Sequence, residues 1–232
     1  MKFETVVKEV VPRVRDVSSF RFPRPVELSY KPGQYMLITI KSGEKELMHP
    51  FSISSSPTEK AYIEFTKKLT QNEYSLVLKT LKPGDWACID APHGEFTFEG
   101  EYPKIALLTG GIGITPFRSI IKYSTDMKLD SDIALFYGCR SPSDVAFRDE
   151  LEQMQKQNKN LKLVFTVNEP NDDWKGAVGN ITADLLKEEL PDYKERMFYA
   201  CGPPGMVTAM TNLIKTLGLT ETHLKLENFA GY

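Results

Sequence analysis

A chain of 232 residues, 41% hydrophobic and 26% charged, has the apolar content of a folded protein and the length of one large domain or two ordinary ones. Its formal net charge of -2 excludes the basic face that nucleic-acid binding requires, while leaving room for a local patch that docks a protein partner. Three cysteines with no Cys-x-x-Cys pair (Cys88, Cys139 and Cys201) speak against a disulfide framework and fall short of the four thiolates of an all-cysteine iron–sulfur cluster.

The chain opens on Met1-Lys2-Phe3-Glu4-Thr5-Val6-Val7, which alternates like a strand instead of forming a continuous apolar stretch. No run of about 18 apolar residues follows anywhere, so neither a signal peptide nor a membrane span is expected, and the reading is cytoplasmic. Strands are predicted at residues 5–11, 18–22, 35–40, 51–54, 62–67 and 86–89. Lys31-Pro32-Gly33 and Lys82-Pro83-Gly84 read as tight turns, and one helix is predicted over 75–81. Short strands at this spacing imply a closed or nearly closed antiparallel β-barrel.

The pattern changes at 99–103. From there strands at 105–109, 133–137, 161–167, 197–200 and 224–226 alternate with helices starting at Thr115, at Asp144, near Thr182 and at Pro204. Alternation of this kind implies a parallel sheet covered on both faces, and the wholly apolar Ile105-Ala106-Leu107-Leu108 suits its centre. The expected organisation is two-domain: a β-barrel at 1–100, then a doubly wound α/β domain at 103–232.

Four segments carry candidate chemistry. Thr109-Gly110-Gly111-Ile112-Gly113-Ile114-Thr115-Pro116 joins a strand to a helix. Its glycines let backbone approach a bulky anion, Thr115 is placed to cap the helix, and the helix start favours a pyrophosphate. The spacing is neither Gly-x-Gly-x-x-Gly nor a P-loop, so a plain glycine-rich turn stays open. Cys201-Gly202-Pro203-Pro204-Gly205-Met206 puts a thiol at a strand's carboxyl end, where it either touches a nicotinamide ring or packs as a small hydrophobe. In His49-Pro50-Phe51-Ser52-Ile53-Ser54-Ser55-Ser56-Pro57, Phe51 offers an aromatic face and Ser52 a donor, as a flavin ring requires, with His49 or the serines near a phosphate; the alternative is a strand with a serine-rich turn. Ser75, after Asn72-Glu73-Tyr74, either holds phosphate oxygens or belongs to an ordinary helix cap. His93 and His223 stand alone, and no histidine pair has metal-ligand spacing.

Taken in order, Pro32-Gly33-Gln34-Tyr35, His49-Pro50-Phe51-Ser52, Pro92-His93-Gly94-Glu95-Phe96, the glycine turn and Cys201-Gly202-Pro203-Pro204 resemble the ferredoxin–NADP reductase superfamily over nearly the whole chain. The resemblance implies an FAD-binding barrel and a nicotinamide-binding domain, with hydride transfer between NAD(P)H and FAD and electrons passed to or from a separate acceptor. It gives Phe51 the flavin face and Ser52 a place near flavin N5. It also implies Pro50, Gly202 and Pro203 in the cofactor contacts, Cys201 beside the nicotinamide, and a terminal aromatic, here Tyr232, over the flavin. His49 stands where the family usually has Arg, as in the NADPH oxidase and ferric reductase branch, and Asn72 stands where a Gly is usual. NADPH users often carry Ser-Arg after the third strand; here Asn168-Glu169 would repel the extra phosphate, so NADH is favoured, although Arg140 is placed to offset this. The acceptor stays open among ferredoxin, a haem protein, an oxygenase and a small oxidant. Two alternatives stay open as well: an electron-transfer subunit active only in a larger complex, and a free flavin or ferric reductase.

Overall fold

The computed structural model describes residues 1–229. Seven strands build the first half: β1 (Lys2–Val6), β2 (Glu9–Val14), β3 (Val17–Phe22), β4 (Tyr35–Ser42), β5 (Lys45–Ser52), β6 (Ile63–Lys68) and β7 (Trp86–His93), with α1 (Glu73–Leu78) between the last two. They form two antiparallel sheets, ordered β1-β7-β4-β5 and β2-β3-β6, and an isolated bridge between Ile53 and Phe65 joins the sheets. Alternation explains the barrel: Met36, Ile38 and Ile40 on β4 are fully buried, while the residues between them face outward in part. Their core partners are aromatic, with Phe65 stacked on Phe20 at 5.0 Å and on Phe51 at 4.6 Å.

The strand expected at 5–11 is two strands in different sheets. The chain changes sheet at Val7–Lys8, where the Val7 N–H donates to the Asp85 carbonyl (2.8 Å) and the Lys8 N–H to the Arg21 carbonyl (2.8 Å). Val7 is buried at the crossing, so the apolar alternation runs through the break without a mark. Both Lys-Pro-Gly motifs are tight turns, closed by Gln34 N–H to Lys31 O (3.2 Å) and Asp85 N–H to Lys82 O (3.1 Å).

The second half is a six-stranded parallel sheet, ordered β11-β10-β9-β8-β12-β13. Its strands are β8 (Lys104–Gly110), β9 (Asp132–Cys139), β10 (Leu161–Val167), β11 (Ala177–Val178), β12 (Met197–Gly202) and β13 (Leu224–Asn228). Helices α2 (Ile114–Asp126), α3 (Arg148–Gln157), α4 (Ala183–Glu189) and α5 (Pro204–Thr216) connect them. Central β8 is apolar on both faces for a physical reason. Ile105 and Leu107 pack with Phe117, Ile120 and Leu151 of α2 and α3, whereas Ala106 and Leu108 pack with Leu186, Met210 and Ile214 of α4 and α5. Strand order runs outward from β8 to β9 and β10 on one side and to β12 and β13 on the other. The crevice at the carboxyl ends of β8 and β12 is therefore a topological switch point, the usual ligand site of such sheets. Among the described residues, no helix is long and apolar enough to cross a membrane.

The halves meet through charge as well as apolar packing. Buried Arg118 of α2 pairs with Glu59 of the first half. Burial alone would raise the Glu59 carboxyl, but hydrogen bonds and charge from Arg118, with a bond from Tyr62, outweigh it and hold the group at about 2. A depressed carboxyl contributes stability at pH above its unfolded value of 4.5 and loses it as pH falls through that value toward 2. Thermal melting should accordingly fall between pH 5 and pH 2.5, with Glu59 responsible for on the order of 2–3 kcal/mol. Glu59→Gln should flatten that dependence, and an equally steep acid slope in the variant would assign it to other carboxyls.

Candidate active site

Two cavities are lined by residues of both halves. The smaller, about 290 Å³, is lined from the first half by Tyr35, His49, Pro50, Phe51, Ser52, Lys67, Asn72 and Tyr74, and from the second by Glu227, Asn228 and Phe229. Phe51 is locked in place by Phe65 behind it and by Tyr74 at 5.4 Å, which gives the cavity a rigid aromatic wall. Ser52 ends β5 beside this wall, and its hydroxyl donates to Glu227 Oε2 at 3.4 Å. The Cys201 thiol donates to the same oxygen at 3.9 Å. One carboxyl thus gathers the two candidate catalytic residues from opposite halves of the chain.

Burial pushes the Glu227 carboxyl up to about 7, although the bonds from Ser52 and Cys201 pull it down. The Cys201 thiol is fully buried and driven well above its ordinary range by that burial and by Glu227, so it is a neutral, unreactive group. Desolvation lowers the Lys67 ammonium to about 8. His49 is held below its ordinary value by desolvation and by the Lys67 charge, and is neutral at pH 7. Lys67 is therefore the cation on this wall, a role that the motif alone assigns to the position His49 occupies.

The larger cleft, about 1130 Å³, runs along the switch point. The glycine turn, Cys139 to Ser141, Asn168, Glu169 and Met206 line it. Residues 111–113 form one 3-10 turn before α2, and Gly111, at φ +53°, has open space where a side chain would be. Gly113 differs: a Cβ there would lie 2.4 Å from the Cys201 carbonyl oxygen, so its lack of a side chain lets the turn pack on β12. The start of α2 is where backbone N–H groups suit an anion, and Gly111 leaves its part of the cleft open.

Several expected contacts change on this geometry. Thr115 does not cap α2. The 3-10 turn starts the helix one residue earlier, Gly113 is the N-cap without a side-chain bond, and the Thr115 hydroxyl donates to the Ile112 carbonyl at 3.3 Å. The Thr109 hydroxyl donates to the Cys201 carbonyl at 3.0 Å, tying β8 to β12. Ser75 is fully buried, its N–H bonded to Asn72 Oδ1 (2.8 Å) and its hydroxyl to Thr70 (3.2 Å), so Asn72 and Tyr74 face the cavity in its stead. Arg140 is exposed and paired with Glu169 at 3.0 Å. The Gly202 carbonyl accepts the Phe229 N–H at 2.9 Å, and Pro203 is the N-cap of α5. Tyr232 lies outside the described residues; Phe229, after β13, lines the smaller cavity together with Tyr35, Phe51 and Tyr74.

Two family models match the chain, one in each half. Residues 3–98 match the family model described as an oxidoreductase FAD-binding domain, and residues 107–212 the one described as an oxidoreductase NAD-binding domain. NADH-cytochrome b5 reductase 1 of Aspergillus terreus is 32% identical over 230 residues, covering 93% of this chain and 78% of that protein. The chain belongs to the ferredoxin–NADP reductase superfamily. The glycine betaine monooxygenase reductase subunit of Chromohalobacter salexigens is 29% identical, over 95% of this chain and 62% of its own. A ferredoxin NADP+ reductase from Neisseria gonorrhoeae, solved with FAD and NADP bound, shares the fold with a TM-score of 0.85 at 19% identity, covering 98% of both chains. As a superfamily member the chain takes FAD, and the lining of the small cavity suits its ring. Phe51 supplies a flat aromatic wall, Ser52 and Glu227 supply polar groups at its edge, and Lys67 supplies positive charge.

Proposed function

We propose that this chain is an NADH-dependent flavoprotein reductase: a hydride passes from the coenzyme to FAD, and the electrons leave singly to a separate redox protein. The observation that carries the reading is the meeting of Ser52 and Cys201, from the two halves, on one carboxyl, that of Glu227, beside the smaller cavity. FAD, when bound, supplies the conversion of a two-electron hydride into single electrons. The protein supplies the rest. Residues 1–100 act as the flavin domain and 103–232 as the nicotinamide domain. Phe51, backed by Tyr74, bears the ring; Pro50 fixes the strand end; His49 and Lys67 stand on the phosphate side. Gly110, Gly111 and the start of α2 hold the coenzyme pyrophosphate, and buried Cys201 gives the nicotinamide a small neutral neighbour. Ser52 and Glu227 hold a proton at the Ser52 hydroxyl and the Glu227 Oε2 oxygen. Two similar proteins are named for cytochrome b5 and for a monooxygenase, which supports a one-electron protein acceptor here. Three buried free thiols suit a reducing compartment such as the cytoplasm.

Anaerobic addition of NADH should bleach the bound flavin, and an oxidised b5-type haem protein or oxygenase component should restore its colour. A flavin that NADH leaves oxidised sinks the reading. Coenzyme choice follows from Arg140 and Glu169. Their ion pair occupies the cation placed after β9, and the carboxylate repels a 2′-phosphate. NADH should be preferred by about tenfold or more in kcat/KM, a difference of about 1.4 kcal/mol. Glu169→Gln should release Arg140 and narrow the preference, whereas a wild-type preference for NADPH would reassign Arg140 as the phosphate grip.

A further inference from the structure

A network of buried and half-buried charges lies between the halves, and none of its members lines either cavity. Arg118 stands on α2, one turn beyond the glycine turn, with only 3% of its surface exposed. Its guanidinium donates to the Ser54 carbonyl (3.2 Å), to both oxygens of Glu59, and to Glu150 through Nε (3.0 Å) and Nη2 (2.7 Å). The next residue, Ser119, donates to the Ser55 carbonyl at 2.7 Å. Glu150 also takes Arg13 at 2.5 Å; Arg13 reaches the fully buried Glu64 at 2.9 Å, and Glu64 in turn accepts from Ser54 Oγ at 2.8 Å.

Buried ion pairs are poor sources of net stability, because desolvation offsets most of the attraction, yet they fix geometry. Arginine does this best, since its planar fork accepts partners only along set directions. What this network fixes is specific. Ser54 and Ser55 follow Ser52 by two and three residues, while Arg118 and Ser119 follow Thr115 by three and four. The strand end that faces the flavin is therefore tied directly to the helix whose start faces the coenzyme. Apolar contacts across the same junction, such as Val17 and Phe96 with Phe117, have no comparable directionality. Hydride transfer is sensitive to such placement, and a displacement of about 1 Å costs on the order of a hundredfold in rate.

We propose that Arg118 is a positioning residue: through Glu59 and the Ser54 carbonyl, with Ser119 on Ser55, it sets the coenzyme half-site against the flavin half-site and so fixes the approach of nicotinamide to the flavin. The proposal rests on the reductase reading above.

The test uses the flavin-loaded protein and three variants. Arg118→Lys keeps the charge and loses the fork, Glu59→Gln weakens the main partner, and Ser119→Ala removes one neutral bond. With Arg118→Lys and Glu59→Gln, flavin reduction at saturating NADH should slow thirtyfold or more, while the Kd for NADH changes less than threefold. Ser119→Ala should slow it by about threefold. Hydrogen exchange supplies a readout independent of turnover. Amides of 53–59 and 115–121 should exchange as one cooperative unit in the wild-type protein and as two in the first two variants. Wild-type reduction rates with undivided exchange in the folded variants would overturn the proposal. If Arg118→Lys does not fold, Glu59→Gln and Ser119→Ala carry the same readouts and decide the proposal in the same way. A wild-type flavin that NADH does not reduce defeats the reductase reading instead. Exchange then still judges the coupling, which fails if the two segments already open separately in the wild-type protein.

Discussion

Glu227→Gln should slow electron delivery from the reduced flavin to a one-electron acceptor by about a hundredfold at pH 7, with FAD content unchanged. The amide keeps the oxygen that accepts from Ser52 and Cys201 but neither binds nor releases a proton at neutral pH. Loss of a positioned proton carrier typically costs 10²–10⁴-fold, on the order of the effect expected here. Burial holds the wild-type carboxyl at about 7, so it is half protonated at neutral pH and able to take a proton through Ser52 and give it up again. The rate profile of the wild-type protein should bend near pH 7, and that bend should vanish in the variant. A stability readout separates this role from packing. Between pH 4.5 and about 7 the folded protein keeps a proton that the unfolded chain has released, so stability falls as pH rises through that window. Above it the cost reaches about 3 kcal/mol. Glu227→Gln should therefore melt higher than wild type at pH 8 and level with it at pH 4. Wild-type rates with the bend intact would make Glu227 a structural partner of Ser52 only.

The features legible in the sequence are those that depend on neighbours in the chain. The apolar run 105–108 marks β8 as doubly covered, and the structure buries Ile105 and Leu107 on one face and Ala106 and Leu108 on the other. Phe51 and Ser52 end β5 and line the smaller cavity, but the packing that holds Phe51, on Phe65 and Tyr74, comes from further along the chain. Illegible features arise where distant strands meet. Glu227 faces the site because β13 pairs in parallel with β12, which sets Glu227 opposite Cys201 and Asn228 opposite Gly202. An acid that follows the alternating Leu224-Lys225-Leu226, two residues before an aromatic, is the local sign of it. Arg118 left a stronger sign, a lone charge in Pro116-Phe117-Arg118-Ser119-Ile120-Ile121, since a cation on a buried helix face needs carboxylates from elsewhere in the fold. The sheet change at Val7 and the early start of α2 follow from hydrogen bonds to Asp85, to Arg21 and within the glycine turn, and periodicity carries no trace of these.

The glycine turn yields the sharpest contrast between two substitutions of one kind. Gly113 has an ordinary helical backbone, so alanine there meets no torsional penalty. Its Cβ, however, would stand 2.4 Å from the Cys201 carbonyl oxygen, 2.6 Å from Thr109 Oγ1 and 2.9 Å from the Gly202 Cα. Two of these neighbours are backbone of β12, held in register by β8 on one side and β13 on the other, so the strain cannot relax locally. Gly113→Ala should destabilise the protein by about 3 kcal/mol, the upper range for overpacking a tight site. By displacing Cys201 it should also abolish flavin reduction by NADH. Gly111 reverses both terms. Its φ of +53° costs an alanine about 1–2 kcal/mol, and no atom lies within 4 Å of the added methyl. That methyl would project into the cleft, where the proposed function puts the coenzyme pyrophosphate. Gly111→Ala should keep its fold and its flavin, lose a few degrees in Tm, and bind NADH at least tenfold more weakly with little change in the reduction rate at saturation. Melting curves, flavin content and a coenzyme titration on both variants test the contrast. Wild-type NADH affinity in Gly111→Ala would move the pyrophosphate away from the turn, and a stable, fully reducible Gly113→Ala would show that β12 yields where its two neighbouring strands are expected to hold it.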